Sequence, residues 1–364
     1  MADSYKLTGV HHVEFIVGNV LQAAYYYQQA WGFRAVAYQG LETGHRDRTG
    51  VVLRQGKVRL LLTAPLGPDG EFNPFLNRHG DGVRDVALGT DDARAAHEAA
   101  VAGGAESIAG PEEQADEHGS VVIATIKAYD SVRHTFVQVN DYKGPFLPGY
   151  GDYVGPDLSS GDLGLKAVDH VVHNMPDGGM ETQVQFYQDT LGLHRFWTVD
   201  DKDIRTEFSS LRSIVVANDN EVIKMPVNEP AEGLKKSQIQ EFIDFNIDAG
   251  VQHVALLTGD IIATISQLRA NGVDFLEVPD TYYQDLIARV GELDEDMETL
   301  RKLRILVDRD DDGYLLQLFT KPVQGRPSFF FEVIQRKGSR AFGKGNFKAL
   351  FEAIEREQER RGNL

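Results

Sequence analysis

Three residues in the second half of the chain have the types that metal chemistry needs. His253 lies in the apolar run "AGVQHVAL" (249–256), His170 in "AVDHVVH" (167–173) and Glu332 in "FFFEVIQR" (329–336). Each run reads as a buried strand. A single histidine in such a strand is ordinarily a hydrogen-bonded core residue. An ionised carboxylate between Phe330, Phe331, Val333 and Ile334 is different, because burying it alone is expensive. Coordination of one metal ion would settle all three side chains together. Two imidazoles and a carboxylate form a facial set that leaves further coordination positions open, which suits non-haem Fe(II) with a bidentate substrate and O2. Zinc hydrolases use the same donor types, so the donors alone do not name the metal.

The elements that must position these residues appear as an internal repeat. Residues 9–33, "GVHHVEFIVGNVLQAAYYYQQAWGF", and 167–193, "AVDHVVHNMPDGGMETQVQFYQDTLGL", each read as a strand with an embedded histidine, a loop and an amphipathic helix. Gly32 and Gly192 close the two helices at matching places. Residues 80–111 and 248–279 form a second pair, with strand, helix, glycine stop and strand in the same order. The chain therefore reads as four related βα units in two halves. Residues 144–164, with six glycines and three prolines, read as the linker. This places one domain at 1–150 without metal and another at 151–364 with it. The counterparts in the first half are read as His12, Asp85 and Gln138, so the full donor set occurs only in the second. Residues 286–304 carry the spacing of a solvent-facing helix. The end of the chain reads as an amphipathic helix with Phe347, Leu350, Phe351 and Ile354 on one face.

Composition bounds the function classes. A length of 364 residues favours two domains, and 42% hydrophobic with 25% charged residues is ordinary for a globular protein. The absence of cysteine excludes disulfides, thiolate metal sites and iron–sulfur clusters, and fits a reducing, cytoplasmic setting. No apolar run suits a signal peptide or a membrane span, so no membrane partner is expected. With 37 basic against 55 acidic residues, a net charge of −18 would repel phosphate backbones and argues against nucleic acid.

The second half resembles the 4-hydroxyphenylpyruvate dioxygenase family. The likeness is carried by "MPVNEP" (225–230), "KKSQI" (235–239), "AGVQHVAL" (249–256), "DGYLLQLFTKPVQGRP" (312–327), "FFFEVIQRKG" (329–338) and "FGKGNFKALFEAIEREQERRGNL" from Phe342 onward. Weaker similarity runs through the first half, as in "HGDGVRDVAL" (79–88) and "GPFLPGY" (144–150). The resemblance implies an α+β, vicinal-oxygen-chelate fold, with duplicated βαβββ modules forming two open-barrel domains. It implies Fe(II) held by His170, His253 and Glu332. Ser213, Asn228, Gln238, Gln252 and Gln317 would be polar groups of the substrate pocket, and Phe319, Phe330 and Phe342 its walls. Asn346 and Phe347 would belong to a terminal segment that closes the site. Strict strand alternation points Gln252 away from the face that bears His253.

The implied partners are 4-hydroxyphenylpyruvate and O2, converted to homogentisate and CO2 in tyrosine and phenylalanine catabolism. The keto acid's own decarboxylation supplies electrons, so no separate 2-oxoglutarate is required. Self-association through the first half, as a dimer or tetramer, is also implied. Two alternatives stand beside this. The sibling 4-hydroxymandelate synthase family uses the same substrate and iron, but lacks the "NEP" turn and has an aliphatic residue where Phe347 stands. A metal-free small-molecule binding protein of the same fold would not need the His/His/Glu set. His11, His45, His79, His97, His118, His134, His173 and His194 read as ordinary histidines.

Overall fold

The computed structural model describes residues 5–199, 210–231, 233, 236–284 and 286–363. Each half curls one sheet from two β-α-β-β-β units. The first unit runs β1 (Leu7–Ile16), α1 (Val20–Trp31), β2 (Arg34–Gln39), β3 (Arg48–Gln55) and β4 (Val58–Pro65). Helix α2 (Asn73–His79) leads to β5 (Gly82–Thr90), α3 (Ala93–Ala102), β6 (Ser107–Asp116), β7 (Gly119–Tyr129) and β8 (Val132–Val139). A short β9 (Gly151–Asp152) then pairs with β2.

The second half repeats the plan with β10 (Leu165–Asn174), α4 (Met180–Leu191), β11 (His194–Val199), β12 (Ser210–Ala217) and β13 (Lys224–Ala231). Its last unit follows α5 (Gln238–Asn246) and comprises β14 (Gly250–Thr258), α6 (Ile261–Ala270), three short helices and three strands. The helices are α7 (Thr281–Gln284), α8 (Leu286–Val290) and α9 (Met297–Leu303). The strands are β15 (Leu306–Arg309), β16 (Tyr314–Phe319) and β17 (Phe330–Lys337), before the closing α10 (Phe347–Arg361).

The sheet orders are β6-β7-β8-β5-β1-β4-β3-β2-β9 and β11-β12-β13-β10-β14-β17-β16-β15. Apart from β9 they are the same arrangement, with an antiparallel central pair flanked on each side by a parallel neighbour. Local chemistry sets the repeated helix ends. The Asn19 side chain accepts from the Gln22 amide to start α1, and Gly32 ends it at φ 69. Gly192 ends α4 at φ 65, in the left-handed region that glycine adopts without strain.

Both central pairs carry bulges at the same places. In β10/β14, Val168 faces Leu256 while His170 faces Ala255, which leaves Asp169 as an extra residue. Further along, Val172 faces His253 while His173 faces Val251, which leaves Gln252 extra. In β1/β5 the corresponding extra residues are His11 and Arg84. A bulge puts two residues opposite one and re-aims the side chain beside it.

Alternation along β17 divides the remaining work. Phe329 and Phe331 face the first half, where Phe329 meets Phe15 edge-on at 5.0 Å and Phe331 meets Trp31 at 4.7 Å between centroids. All four rings are buried, and each contributes on the order of 1.5–3 kcal/mol by leaving water. Phe330 and Glu332 face the inside of the curl. Two expectations are corrected. Residues 286–304 are not one helix but α8 and α9, separated at Gly291 (φ 71), with Leu286, Val290 and Leu300 buried. "NEP" is not a turn but part of β13, paired throughout with β12.

Candidate metal centre

The register brings the three donor residues together. Strands β10, β14 and β17 are neighbours, with His170 opposite Ala255 and Ala255 beside Glu332. The Nε2 atoms of His170 and His253 lie 3.1 Å and 3.4 Å from the same Oε2 of Glu332. One donor atom from each residue lies within 4.8 Å of the others, and all three residues are buried. Burial opposes the charge on Glu332, but the two imidazoles outweigh it and hold the carboxyl at about 2. Burial also disfavours charge on both imidazoles. At His170 the Glu332 and Asp169 carboxylates reverse it, so that pKa is raised, whereas His253 is lowered.

Each imidazole has its other nitrogen occupied. The Nδ1 of His170 is 2.7 Å from Asp169 Oδ2, and the Nδ1 of His253 is 3.0 Å from Gln252 Oε1. With Nδ1–H donated to these oxygens, both Nε2 lone pairs point at Glu332. Three buried lone-pair donors with their tautomers set in this way fit a metal ion. Both acceptors are the extra residues of the bulges. Gln252 is therefore turned to the histidine that strict alternation would have set it against.

Asp169 is held in turn. Arg336 grips both its oxygens at 2.8 Å each, and Lys224 Nζ approaches at 3.4 Å. Burial opposes ionisation of Asp169, but the Arg336 guanidinium keeps its carboxyl well below the usual range. Asp169 and Arg336 are not among the candidate residues read from the sequence. A signal existed in their positions, because Asp169 directly precedes His170 and Arg336 follows Glu332 by four residues on the same strand face.

A pocket opens on the three donors. Ser213, Asn228, Phe319, Phe342 and Phe347 line it, together with Val172, Trp197, Val215, Pro226 and Leu350, which the sequence reading had not assigned to the pocket. Ser213 pairs with Asn228 and Asn228 with Asn174, so three polar side chains cross β12, β13 and β10 in a row. Asn228 donates to Asn174 Oδ1 at 3.3 Å.

The other expected pocket residues lie elsewhere. Gln238, Gln252 and Phe330 line a neighbouring cavity with Glu241, Ser328 and Arg361. The Phe330 ring stacks on His253 at 4.7 Å and 20°, and the stacked pair stands between the two cavities. Gln317 is buried with its amide against Gly343, and it lines neither cavity. Asn346 is fully buried and accepts a 2.6 Å hydrogen bond from Tyr282, which fixes the start of α10.

The first half places different chemistry on the same frame. Asp85 faces Arg133 and Leu88 faces Phe136, so Thr135 occupies the position equivalent to Glu332. Gln138 instead accepts from the Ala93 amide at 3.0 Å, as Gln335 accepts from the Ile261 amide at 2.8 Å. The counterpart of Glu332 is thus Thr135, and Gln138 matches Gln335. Arg133 reaches Glu14 and Asp85, each at 3.1 Å, and binds them as a fixed cation.

Models of the Glyoxalase/Bleomycin resistance protein/Dioxygenase superfamily match residues 167–318 and 11–122, one in each half. The 4-hydroxyphenylpyruvate dioxygenase of Dictyostelium discoideum is 51% identical over 98% of this chain and 100% of its own. The chain belongs to the 4-hydroxyphenylpyruvate dioxygenase family. A member from Danio rerio is 48% identical over 99% of this chain and 93% of its own. Among solved structures, a triple mutant of 4-hydroxymandelate synthase from Streptomyces coelicolor superposes with a TM-score of 0.87 at 32% identity, covering 97% of this chain and 99% of that one. The two curled sheets of paired modules are the α+β, vicinal-oxygen-chelate fold of this family. Among the described residues no helix is long and apolar enough to cross a membrane.

Proposed function

We infer that this chain uses O2 to convert 4-hydroxyphenylpyruvate to homogentisate and CO2, a step of tyrosine catabolism, with Fe(II) as its metal ion. The observation that carries this is the buried His170/His253/Glu332 set lining a pocket, in a chain so similar over its length to dioxygenases of that substrate. Fe(II) bound there would supply chelation of the α-keto acid and activation of O2.

The chain's own residues do the rest. One carboxylate and two neutral imidazoles leave a divalent ion with net positive charge, which attracts an anionic keto acid. Ser213 and Asn228 offer hydrogen bonds without charge to orient the substrate. Phe319, Phe342 and Phe347 exclude water and hold the aromatic ring. Glu332 is no general base, because a carboxyl held at about 2 is a poor proton acceptor at neutral pH. Gln238, Gln252, Gln317, Phe330 and Asn346 support this pocket from the surrounding layer. We further propose a cytoplasmic location and a homo-oligomer formed through the first half, where Leu21 and Tyr25 leave an apolar strip exposed on α1.

The 4-hydroxymandelate synthase alternative draws support from the 0.87 superposition, but identity is 32% there against 51% for the dioxygenase. The test is direct. Anaerobic protein is loaded with Fe(II) and 4-hydroxyphenylpyruvate, O2 is admitted, and the aromatic product is identified by mass and retention. Homogentisate is expected. Hydroxymandelate would assign the chain to the sibling reaction, and no O2 uptake by iron-loaded protein would leave a binding module.

A further inference from the structure

The guanidinium of Arg336 has two sets of partners. One edge grips Asp169, through Nε to Oδ1 and Nη2 to Oδ2, both at 2.8 Å. Asp169 holds the Nδ1 of His170 at 2.7 Å. The remaining Nη1 donates to the backbone carbonyls of Ala341 at 2.6 Å and Ser339 at 3.3 Å. These carbonyls belong to the loop between β17 and α10. Asp310 clamps the same loop from the other side, with Oδ2 accepting from the Ser339 hydroxyl at 2.6 Å and from the Arg340 and Ala341 amides at 3.0 Å each.

The clamped loop delivers Phe342. Its ring lies 5.4 Å from the Arg336 guanidinium carbon and 5.2 Å, centroid to centroid, from His170. Phe342 also meets Trp197 at 5.8 Å, and Trp197 meets Phe347 on the first turn of α10 at 5.9 Å. Phe347 and Leu350 of α10 line the cavity together with the donors. Thus one planar side chain, 13% exposed, fixes both a metal ligand and the loop that carries the cover.

We propose that Arg336 is a positioning residue that couples occupation of the metal site to closure of α10 over the cavity. The inference rests on the metal reading of His170, His253 and Glu332. The physical reason is geometric. The guanidinium fork can satisfy the Asp169 carboxylate and the loop carbonyls at once only in one orientation. An ion on Nε2 of His170 fixes the ring, the ring fixes Asp169, and Asp169 fixes the fork. A closed loop fixes the fork from the other side. Such coupling is reciprocal, so each event favours the other by the same factor.

The experiment follows amide hydrogen exchange of the full chain with and without Co(II), a redox-stable probe ion, alongside calorimetric Co(II) affinity. Loading the unmutated protein should slow exchange across 342–361 by about 5-fold or more. Arg336→Lys keeps the charge but not the fork, and should weaken Co(II) binding by about 10-fold or more. It should also abolish the change at 342–361 while strands 165–174 and 250–258 keep their protection, which separates lost coupling from lost folding. Asp169→Asn breaks the same chain one link earlier and should behave likewise. Arg336→Lys that retains the full response at 342–361 would overturn the proposal, and so would an unmutated protein that binds Co(II) without any response there. If the unmutated protein binds no Co(II) at a site sensitive to His253→Ala, the metal reading falls and takes this one with it.

Discussion

The two halves share strand order, bulge positions and the glycine stops of α1 and α4, yet treat positive charge differently. In the second half three donors converge, with donor atoms within 4.8 Å of one another, and the Glu332 carboxylate is met by two imidazoles. In the first half Arg133 binds Glu14 and Asp85 directly, and Thr135 replaces the third donor. A curled sheet of this topology gathers buried polar groups at its central pair in either case. What differs is whether the compensating charge is built into the chain or is left to an exchangeable ion. The repeated fold thus carries one half whose three donors could share an ion and one half whose polar centre is already satisfied.

The sharpest way to break this comparison is to remove the one donor whose counterpart is neither a carboxylate nor an imidazole. Glu332→Gln keeps size but removes the charge, and turnover should fall by more than about 100-fold with loss of tight metal binding. Product formation and metal calorimetry would check it, and near-normal values would end the metal account. Next in size is Arg133→Met, which leaves Glu14 and Asp85 buried without their cation. A loss of about 3–5 kcal/mol in denaturant unfolding is expected, with the metal affinity of the surviving folded protein unchanged.

The halves should also answer pH in opposite senses. Metal binding needs neutral imidazoles, and His170 is raised above its ordinary value by Glu332 and Asp169 against the effect of burial. Affinity should therefore fall as pH drops through the histidine range, with protons released on binding at neutral pH. Asp85 is pushed up to about 6, chiefly by burial and further by Glu14, against the pull of Arg133. A carboxyl raised on folding contributes stability below its unfolded value of about 3.9, and that contribution is lost as pH rises through about 6. Unfolding titrations of Asp85→Asn should lose this part of the pH dependence. The smallest effect is the most symmetric. Gln138→Ala and Gln335→Ala each remove an acceptor for a helix amide, and each should cost about 1 kcal/mol. Unequal costs would show that the halves are less alike than their geometry.

Much of this plan was legible in the sequence because the repeat is long and its glycine stops recur at fixed places. The donors were legible because a glutamate among phenylalanines has no inexpensive explanation. The support behind them was not. Asp169 and Gln252 reach the imidazoles only because the central pair bulges, and a bulge belongs to the pairing of two strands rather than to either one alone. The same limit misassigned Gln138, which resembles a ligand position by count but caps a helix by register. Residues 286–304 carry helical spacing on both sides of Gly291, and the positive φ there divides them. Gln238, Gln317 and Asn346 were grouped with the pocket by resemblance, whereas the packing sets them behind its walls.

The most direct test of the account is the number of divalent ions bound per chain, measured by Co(II) titration of metal-free protein. One ion is expected, abolished by His253→Ala and untouched by His12→Ala. Two ions per chain, or loss of the single ion on changing His12, would contradict the division of labour between the halves.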